Sequence, residues 1–161
     1  MSRKWKIALG VLAVVVVFCL WYTRPRSFDD LVGDGEFQNF SMVAITMDNK
    51  GGKMVSDSWQ LDSYEGREDT VRVLKDILQS CQYRVSLRSL LPFSDNFSGS
   101  VDIGTPMIQL IAGLEDESSF FAFYRGETVM LSTDKTIIAK AVDKDIGDKL
   151  LAYTQEFGWE T

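Results

Sequence analysis

The chain of 161 residues contains no histidine. That absence excludes nucleophile systems built on imidazole, histidine-ligated zinc and proton transfer by a neutral-pH imidazole. Cysteine is almost as scarce, since Cys19 and Cys81 are the only two, so CxxC redox motifs and thiolate metal sites are excluded as well. The chemistries that remain open are a carboxylate pair, a Ser–Lys dyad and a cation bound by oxygen ligands.

Cys81 is the only cysteine beyond the apolar segment near the N-terminus. An internal disulfide in the rest of the chain is therefore impossible. Because Cys81 ends an apolar stripe at helical spacing, the sequence predicts a buried and unreactive thiol. A disulfide between two chains is the alternative.

Basic residues are scarce after residue 26. Five of the 17 lysines and arginines lie in residues 1–26, which leaves 12 against all 23 acidic residues and a net charge of −11 for residues 27–161. Nucleic acid is not expected as a partner, because phosphate contacts need a basic surface. The same charge predicts repulsion from anionic lipid headgroups and keeps an exposed domain soluble.

The longest feature present is the uncharged apolar run over residues 7–22, with three basic residues before it and two after it. At about 1.5 Å per residue, residues 7–23 reach ~25 Å, close to the thickness of a hydrocarbon core. We therefore predict a transmembrane helix over 7–23, with Trp5 and Trp21 near the interfaces. A cleaved signal peptide is disfavoured because no suitable small residues follow the run, and a lipoprotein because bulky Phe18 precedes Cys19.

The basic residues around this run favour a cytoplasmic N-terminus, because the two that follow it are close to Asp29 and Asp30. We divide the chain into a cytoplasmic basic tail (1–6), the transmembrane helix (7–23), a juxtamembrane segment (24–35) and an extracytoplasmic domain (36–161). The expected location is the cell membrane, crossed once.

Beyond the anchor, the hydrophobic period changes between strand and helix patterns. Residues 48–52 separate two strand-like runs and predict a hairpin. A strand is expected over 83–87, an irregular stretch over 91–100, and further strands over 107–112, 119–124, 128–132 and 137–142. Helices are predicted from two apolar stripes: Val71, Leu74, Ile77, Leu78 and Cys81, then Ile146, Leu150, Tyr153 and Phe157 after a capping Asp143.

Short turns between successive strands indicate antiparallel pairing, and two amphipathic helices need a sheet face to cover their apolar stripes. We therefore predict an α+β fold, in which an N-terminal transmembrane helix carries a mostly antiparallel sheet with two helices packed on one face.

Three short patterns suggest chemistry, and each has a simpler structural interpretation. Residues 143–148 resemble the start of a calcium loop, but Gly147 and Asp148 are in the wrong order and Thr154 stands where the bidentate ligand belongs. The acidic cluster 115–117 fits a solvated turn better than a divalent-ion site. Ser132 and Lys135 flank a predicted turn that has no oxyanion hole. We assign no catalytic, cofactor-binding or metal-binding residue.

Two further patterns concern the surface. Asn39 and Asn96 begin glycosylation acceptor patterns, which matter only in a host that glycosylates the domain. Aromatic residues are concentrated in one predicted strand and in the irregular stretch, and we expect most of the rings in the core. Exposed rings would instead form a patch for a protein or peptide partner. The aromatic residues of the strand and the irregular stretch together are Phe93, Phe97, Phe120, Phe121, Phe123 and Tyr124.

The stretch from Thr70 to Val85, a helix that leads into a tyrosine-bearing strand, has a familiar pattern, together with the hairpin-linked strands and last helix between Phe120 and Phe157. It is similar to small α+β domains of unknown function, singly anchored or secreted, in Gram-positive bacteria. The resemblance implies an uncharacterised cell-surface protein and favours a non-enzymatic role. It lies in the pattern alone, so no site residue carries over.

These observations favour a membrane-tethered binding or accessory module that is not an enzyme and that contacts another envelope protein or a peptide through a sheet face or edge. The alternative is a surface hydrolase that uses carboxylates or a bound divalent cation. A third hypothesis is a tether whose domain dimerises through its sheet or through Cys81.

Overall fold

The computed structural model describes residues 3–33, 35–63, 68–90, 103–115 and 117–161. The predictions for the irregular stretch 91–100, for Asn96, and for the rings of Phe93 and Phe97 lie outside the described residues. Asp116 of the acidic cluster lies outside them too.

The apolar run forms helix α1 (Arg3–Tyr22). Residues 4–18 are all exposed on every face of this helix, and the helix is long and apolar enough to cross a membrane. An apolar helix that the domain does not cover fits a lipid environment. The helix ends at Tyr22, after which the amide and the hydroxyl of Thr23 both donate to the Cys19 carbonyl, at 3.0 and 2.8 Å.

The chain that follows α1 joins the domain without a free linker. It forms a two-residue strand, β1 (Pro25–Arg26), and a short helix, α2 (Asp29–Val32). Ser27 and Asp30 bond each other's amides reciprocally, at 3.0 and 3.1 Å, which is a capping box. Phe28 is only 1% exposed, so this segment holds the end of α1 against the core.

Within the described residues, the other strands are β2 (Phe37–Lys50), β3 (Lys53–Asp62), β4 (Tyr83–Val85), β5 (Met107–Leu114), β6 (Ser119–Arg125), β7 (Thr128–Ser132), β8 (Thr136–Ala141) and β9 (Trp159–Glu160). All pairs are antiparallel, and the order across the sheet is β1-β4-β8-β7-β6-β5-β2-β3-β9. The predicted hairpin joins β2 and β3 through Gly51 and Gly52, both at positive φ, as a two-residue turn of this kind requires.

Helices α3 (Glu68–Ser80) and α4 (Ile146–Phe157) pack on each other and on the same sheet face. The predicted α3 stripe faces this core, with Leu74, Leu78 and Cys81 buried. Alternate residues of the central strands meet the helices there, among them Met42 and Leu110, both 0% exposed. The predicted α+β fold, with two helices on one face of an antiparallel sheet, is confirmed.

The strand predicted over 83–87 is wrong beyond Val85, because residues 87–90 form a 3-10 helix. Serine side chains turn the chain away from the ladder. The Ser86 hydroxyl accepts from the Arg88 amide at 3.3 Å, and the Ser89 hydroxyl bonds the amide and the carbonyl of Ile138, at 2.8 and 3.0 Å. These bonds compete with continued pairing to β8.

Two predictions about the last helix are also wrong. Phe157, placed in its buried stripe, is 42% exposed and contacts the ring of Tyr153. It is the last residue of α4, where the chain turns toward β9. Asp143 does not cap the helix, because α4 begins at Ile146 and the Asp143 carboxylate accepts from the Asp145 amide at 3.1 Å.

Gly158, between α4 and β9, has no room for a side chain. Its amide donates to the Thr154 carbonyl at 2.8 Å, and a Cβ would overlap the backbone oxygens of Gln60 and Thr154. We expect Gly158→Ala to lower the free energy of unfolding by about 1–3 kcal/mol, because the backbone must shift. Denaturant unfolding of the full-length protein measures this change. Gly10→Ala is the control, since nothing lies within 4 Å of a Cβ there. Equal stability of the two variants would contradict the close approach.

Cys81 is 1% exposed, its thiol donates to the Gln82 carbonyl at 3.3 Å, and burial raises its pKa. In a full-length Cys19→Ser variant, we therefore expect maleimide to label Cys81 only after unfolding. Mass spectrometry of native and denatured samples measures the labelling. Rapid labelling of the native protein, or a disulfide-linked dimer on a nonreducing gel, would show that the thiol is accessible.

Candidate functional site

The structure does not bring the candidate site residues together. The Asp143 carboxylate accepts hydrogen bonds from the Lys149 ammonium group and the Asp145 amide. These local bonds, rather than a calcium loop, account for its position. The described part of the chain holds no group of three or more acidic or cysteine side chains that could bind a metal ion.

The other candidates are solvated or have different partners. Glu115 and Glu117 are exposed in the turn between β5 and β6. The Ser132 hydroxyl lies 3.4 Å from the Thr136 hydroxyl, and Lys135 is exposed, so a Ser–Lys dyad is not assembled. Asn39 is exposed on β2.

Among the residues that the structure describes, the three carboxylates with a clearly shifted pKa are all more acidic than usual. The Ser27 hydroxyl lowers the pKa of Asp30, Lys140 lowers that of Glu127, and Lys149 lowers that of Asp143. A general acid requires a shift in the opposite direction. These three groups are therefore suited to holding structure, and to staying charged at neutral pH.

The aromatic strand β6 divides its rings between the two sheet faces. Phe120 and Tyr124 are buried under the helices, as expected of core residues, whereas Phe121 and Phe123 are partly exposed on the other face. The Tyr124 hydroxyl lies 3.2 Å from that of Tyr83, and burial raises the pKa of both. Two neutral hydroxyls that satisfy each other stabilise the core.

One edge of the sheet is only partly covered by a neighbouring strand in the described part of the chain. Residues 53–57 of β3, here called the open edge, pair with β2 on one side, but β9 covers only Trp59 and Gln60 on the other. Within the described residues, no strand lies beside the open edge.

The backbone of the open edge offers hydrogen bonds outward. The Ser58 carbonyl accepts from the Thr161 amide at 2.9 Å, on the β9 side. Because alternate residues of a strand direct their amide and carbonyl groups to the same side, Ser56 and Met54 direct theirs outward as well. Met54 is 57% and Val55 36% exposed, so apolar side chains flank these backbone groups.

A second candidate lies at the opposite edge of the sheet, where the end of α1 meets β4 and β8. This depression, here called the basic groove, has a volume of about 710 Å³. Its polar lining comes from Thr23, Arg84, Ser86, Arg88, Thr128 and Lys140.

Strand register assembles the basic groove. Arg84 is directly opposite Lys140, and Lys140 is opposite Thr128, so the three side chains share the face that α3 and α4 leave uncovered. Lys140 donates to the Glu127 carboxylate at 2.8 Å. Among the described residues, the guanidinium groups of Arg84 and Arg88 have no ion-pair partner.

Sequence reasoning predicted contact through a sheet face or edge, but it located neither candidate. The open edge follows from how few residues β9 contributes, and the basic groove follows from pairing between distant segments. The alternation of Tyr83 and Val85 with Arg84 did indicate that Arg84 points away from the core, but nothing in the sequence placed Lys140 beside it.

Comparisons with protein-family models, with curated proteins and with solved structures found no match to this chain.

Proposed function

We propose that the protein is a single-pass protein of the cell membrane whose C-terminal domain is extracytoplasmic and serves as a non-enzymatic binding module. Its N-terminus lies in the cytoplasm. The open edge binds an extended segment of another envelope protein or a peptide, which adds a strand beside β3. The open edge is the observation that carries this proposal.

Strand addition suits the chemistry of the open edge. An extended segment can satisfy the outward amide and carbonyl groups of Met54 and Ser56, while its side chains pack on Met54 and Val55. Exposed strand edges are normally covered or kept short, because they pair with other chains. An edge of this length that offers both hydrogen bonds and apolar contacts favours a partner strand.

The open edge is also far from the membrane anchor. Seven strand-to-strand steps separate β1 from β3 in the sheet. At about 4.8 Å per step, this is roughly 34 Å measured along the sheet. A partner that stands above the bilayer can therefore reach the edge without contacting α1.

Binding is favoured over hydrolysis because of the carboxylate environments. A carboxylate hydrolase needs one acid whose pKa is raised by burial or by a second carboxylate. The shifts of Asp30, Glu127 and Asp143 all go the other way, and each of these groups bonds to a structural partner.

The proposed topology predicts which positions react from outside the cell. A cysteine at Lys53→Cys, in a Cys19→Ser background, should be labelled by a membrane-impermeant maleimide on intact cells. A cysteine at Lys4→Cys should be labelled only after the membrane is opened. Buried Cys81 contributes little background. The reverse pattern would place the domain in the cytoplasm.

The open edge can be tested by photo-crosslinking in native membranes. A photoreactive residue at Met54 should capture a partner protein, whereas the same residue at exposed Glu156 on α4 should not. Ser56→Pro removes the outward-facing backbone amide at this position, and proline is tolerated in an edge strand. We expect it to reduce capture roughly fivefold or more, the equivalent of one lost hydrogen bond.

Ser56→Ala is the matched control, because it keeps the backbone amide, and it should capture the partner as the unchanged protein does. Equal capture by Ser56→Pro and Ser56→Ala would contradict strand addition. Capture of a second copy of this chain alone would show that the open edge mediates dimerisation rather than binding to another protein.

A further inference from the structure

The basic groove lies at the level where α1 ends. Thr23, the first residue after α1, lines it, and Pro25 pairs with Arg84 across the β1–β4 ladder. Residues directly after a membrane-spanning helix lie among the lipid headgroups. With α1 crossing the bilayer, the groove therefore opens at the depth of the headgroup phosphates.

The charges that line the groove suit a phosphate. Arg84 and Arg88 are exposed and, in the described part of the chain, have no acidic partner, whereas Lys140 shares its charge with Glu127. Three cations and one carboxylate leave a net charge of +2 within the groove and its rim. One guanidinium group can donate two parallel hydrogen bonds to two oxygens of a phosphate.

The residues beside the groove suit the rest of a lipid molecule. Leu87 and Leu90 of the 3-10 helix are 42% and 50% exposed, and Leu87 lines the groove. At the end of α1, the guanidinium groups of Arg24 and Arg26 lie 5.6 and 5.8 Å from the centre of the Trp21 ring. Aromatic, basic and apolar side chains in this combination are typical of the membrane interface.

The acidic cluster between β5 and β6 lies far from this site. Exposed charges interact weakly beyond about 8 Å at physiological ionic strength. Glu115 and Glu117 lie past the far end of β6, and the seven residues of that strand span roughly 23 Å. Asp29 and Asp30 on α2 are closer to the anchor, where Arg24 and Arg26 interact with the charge of Asp30. The distant acidic cluster therefore contributes little to the field at the groove.

We propose that the basic groove binds the phosphate of an anionic lipid from the bilayer that holds α1. Arg84 and Arg88 contact the phosphate oxygens, and Leu87 and Leu90 contact the glycerol and upper acyl region. These contacts orient the domain with the β1 edge of the sheet toward the membrane and the open edge away from the lipid.

Native mass spectrometry of the full-length protein in detergent tests the proposal. Phosphatidylglycerol and phosphatidylcholine of equal chain length are titrated separately. We expect phosphatidylglycerol to bind roughly thirtyfold more tightly, the effect of two net positive charges near an anionic lipid. The double variant Arg84→Gln/Arg88→Gln, which disturbs no ion pair, should bind both lipids equally.

The matched control neutralises three exposed lysines outside the groove: Lys50→Gln, Lys53→Gln and Lys135→Gln. It changes the net charge by more than the double variant does and should keep the preference for phosphatidylglycerol. Equal binding of the two lipids by the unchanged protein, or loss of the preference in the control, would overturn the proposal. Displacement of phosphatidylglycerol by inorganic phosphate at about 1 mM would identify a site for a soluble anion instead and would also overturn it.

Discussion

The attachment of β1 to β4 is the constraint on which the functional geometry depends. Pro25 and Arg26 pair with Arg84 and Tyr83, and Phe28, six residues after the end of α1 at Tyr22, is buried in the core. A helix tied to the domain by a flexible linker would leave every surface equally distant from the membrane on average. The β1–β4 ladder instead makes one edge of the sheet the anchored edge and the other the free edge.

The two edges differ in the interactions that they can make. The anchored edge exposes charged side chains, because Arg84 and Lys140 occupy opposed positions on the uncovered face. The free edge exposes backbone, because β9 is only two residues long and, in the described part of the chain, most of β3 has a neighbouring strand on the β2 side alone. Charged side chains attract a lipid surface over a distance, whereas backbone groups bind only a chain that comes into register. On the two proposals above, the sheet would hold the lipid contact and the partner contact at opposite edges.

Much of the fold was predictable because its elements are long enough to show a period. The stripe of Leu74, Leu78 and Cys81 repeats often enough to identify α3, and the glycine pair at 51–52 identifies the hairpin. The two-residue strands β1 and β9 show no period at all, so their pairing could not be foreseen. The error at Leu87 has a similar cause, since serine hydroxyls end β4 through bonds that hydrophobic patterning does not register.

The candidate sites were less predictable than the fold, and the reason is physical. Composition averages charge over the whole domain, and a net charge of −11 suggests repulsion from anionic lipid. Binding depends on the charge within about one Debye length of the ligand. Strand register decides that local charge, because it places Arg84 beside Lys140 and leaves Glu115 and Glu117 at the other end of the sheet. A domain that is acidic overall can therefore carry a locally cationic groove, as it does at Arg84, Arg88 and Lys140.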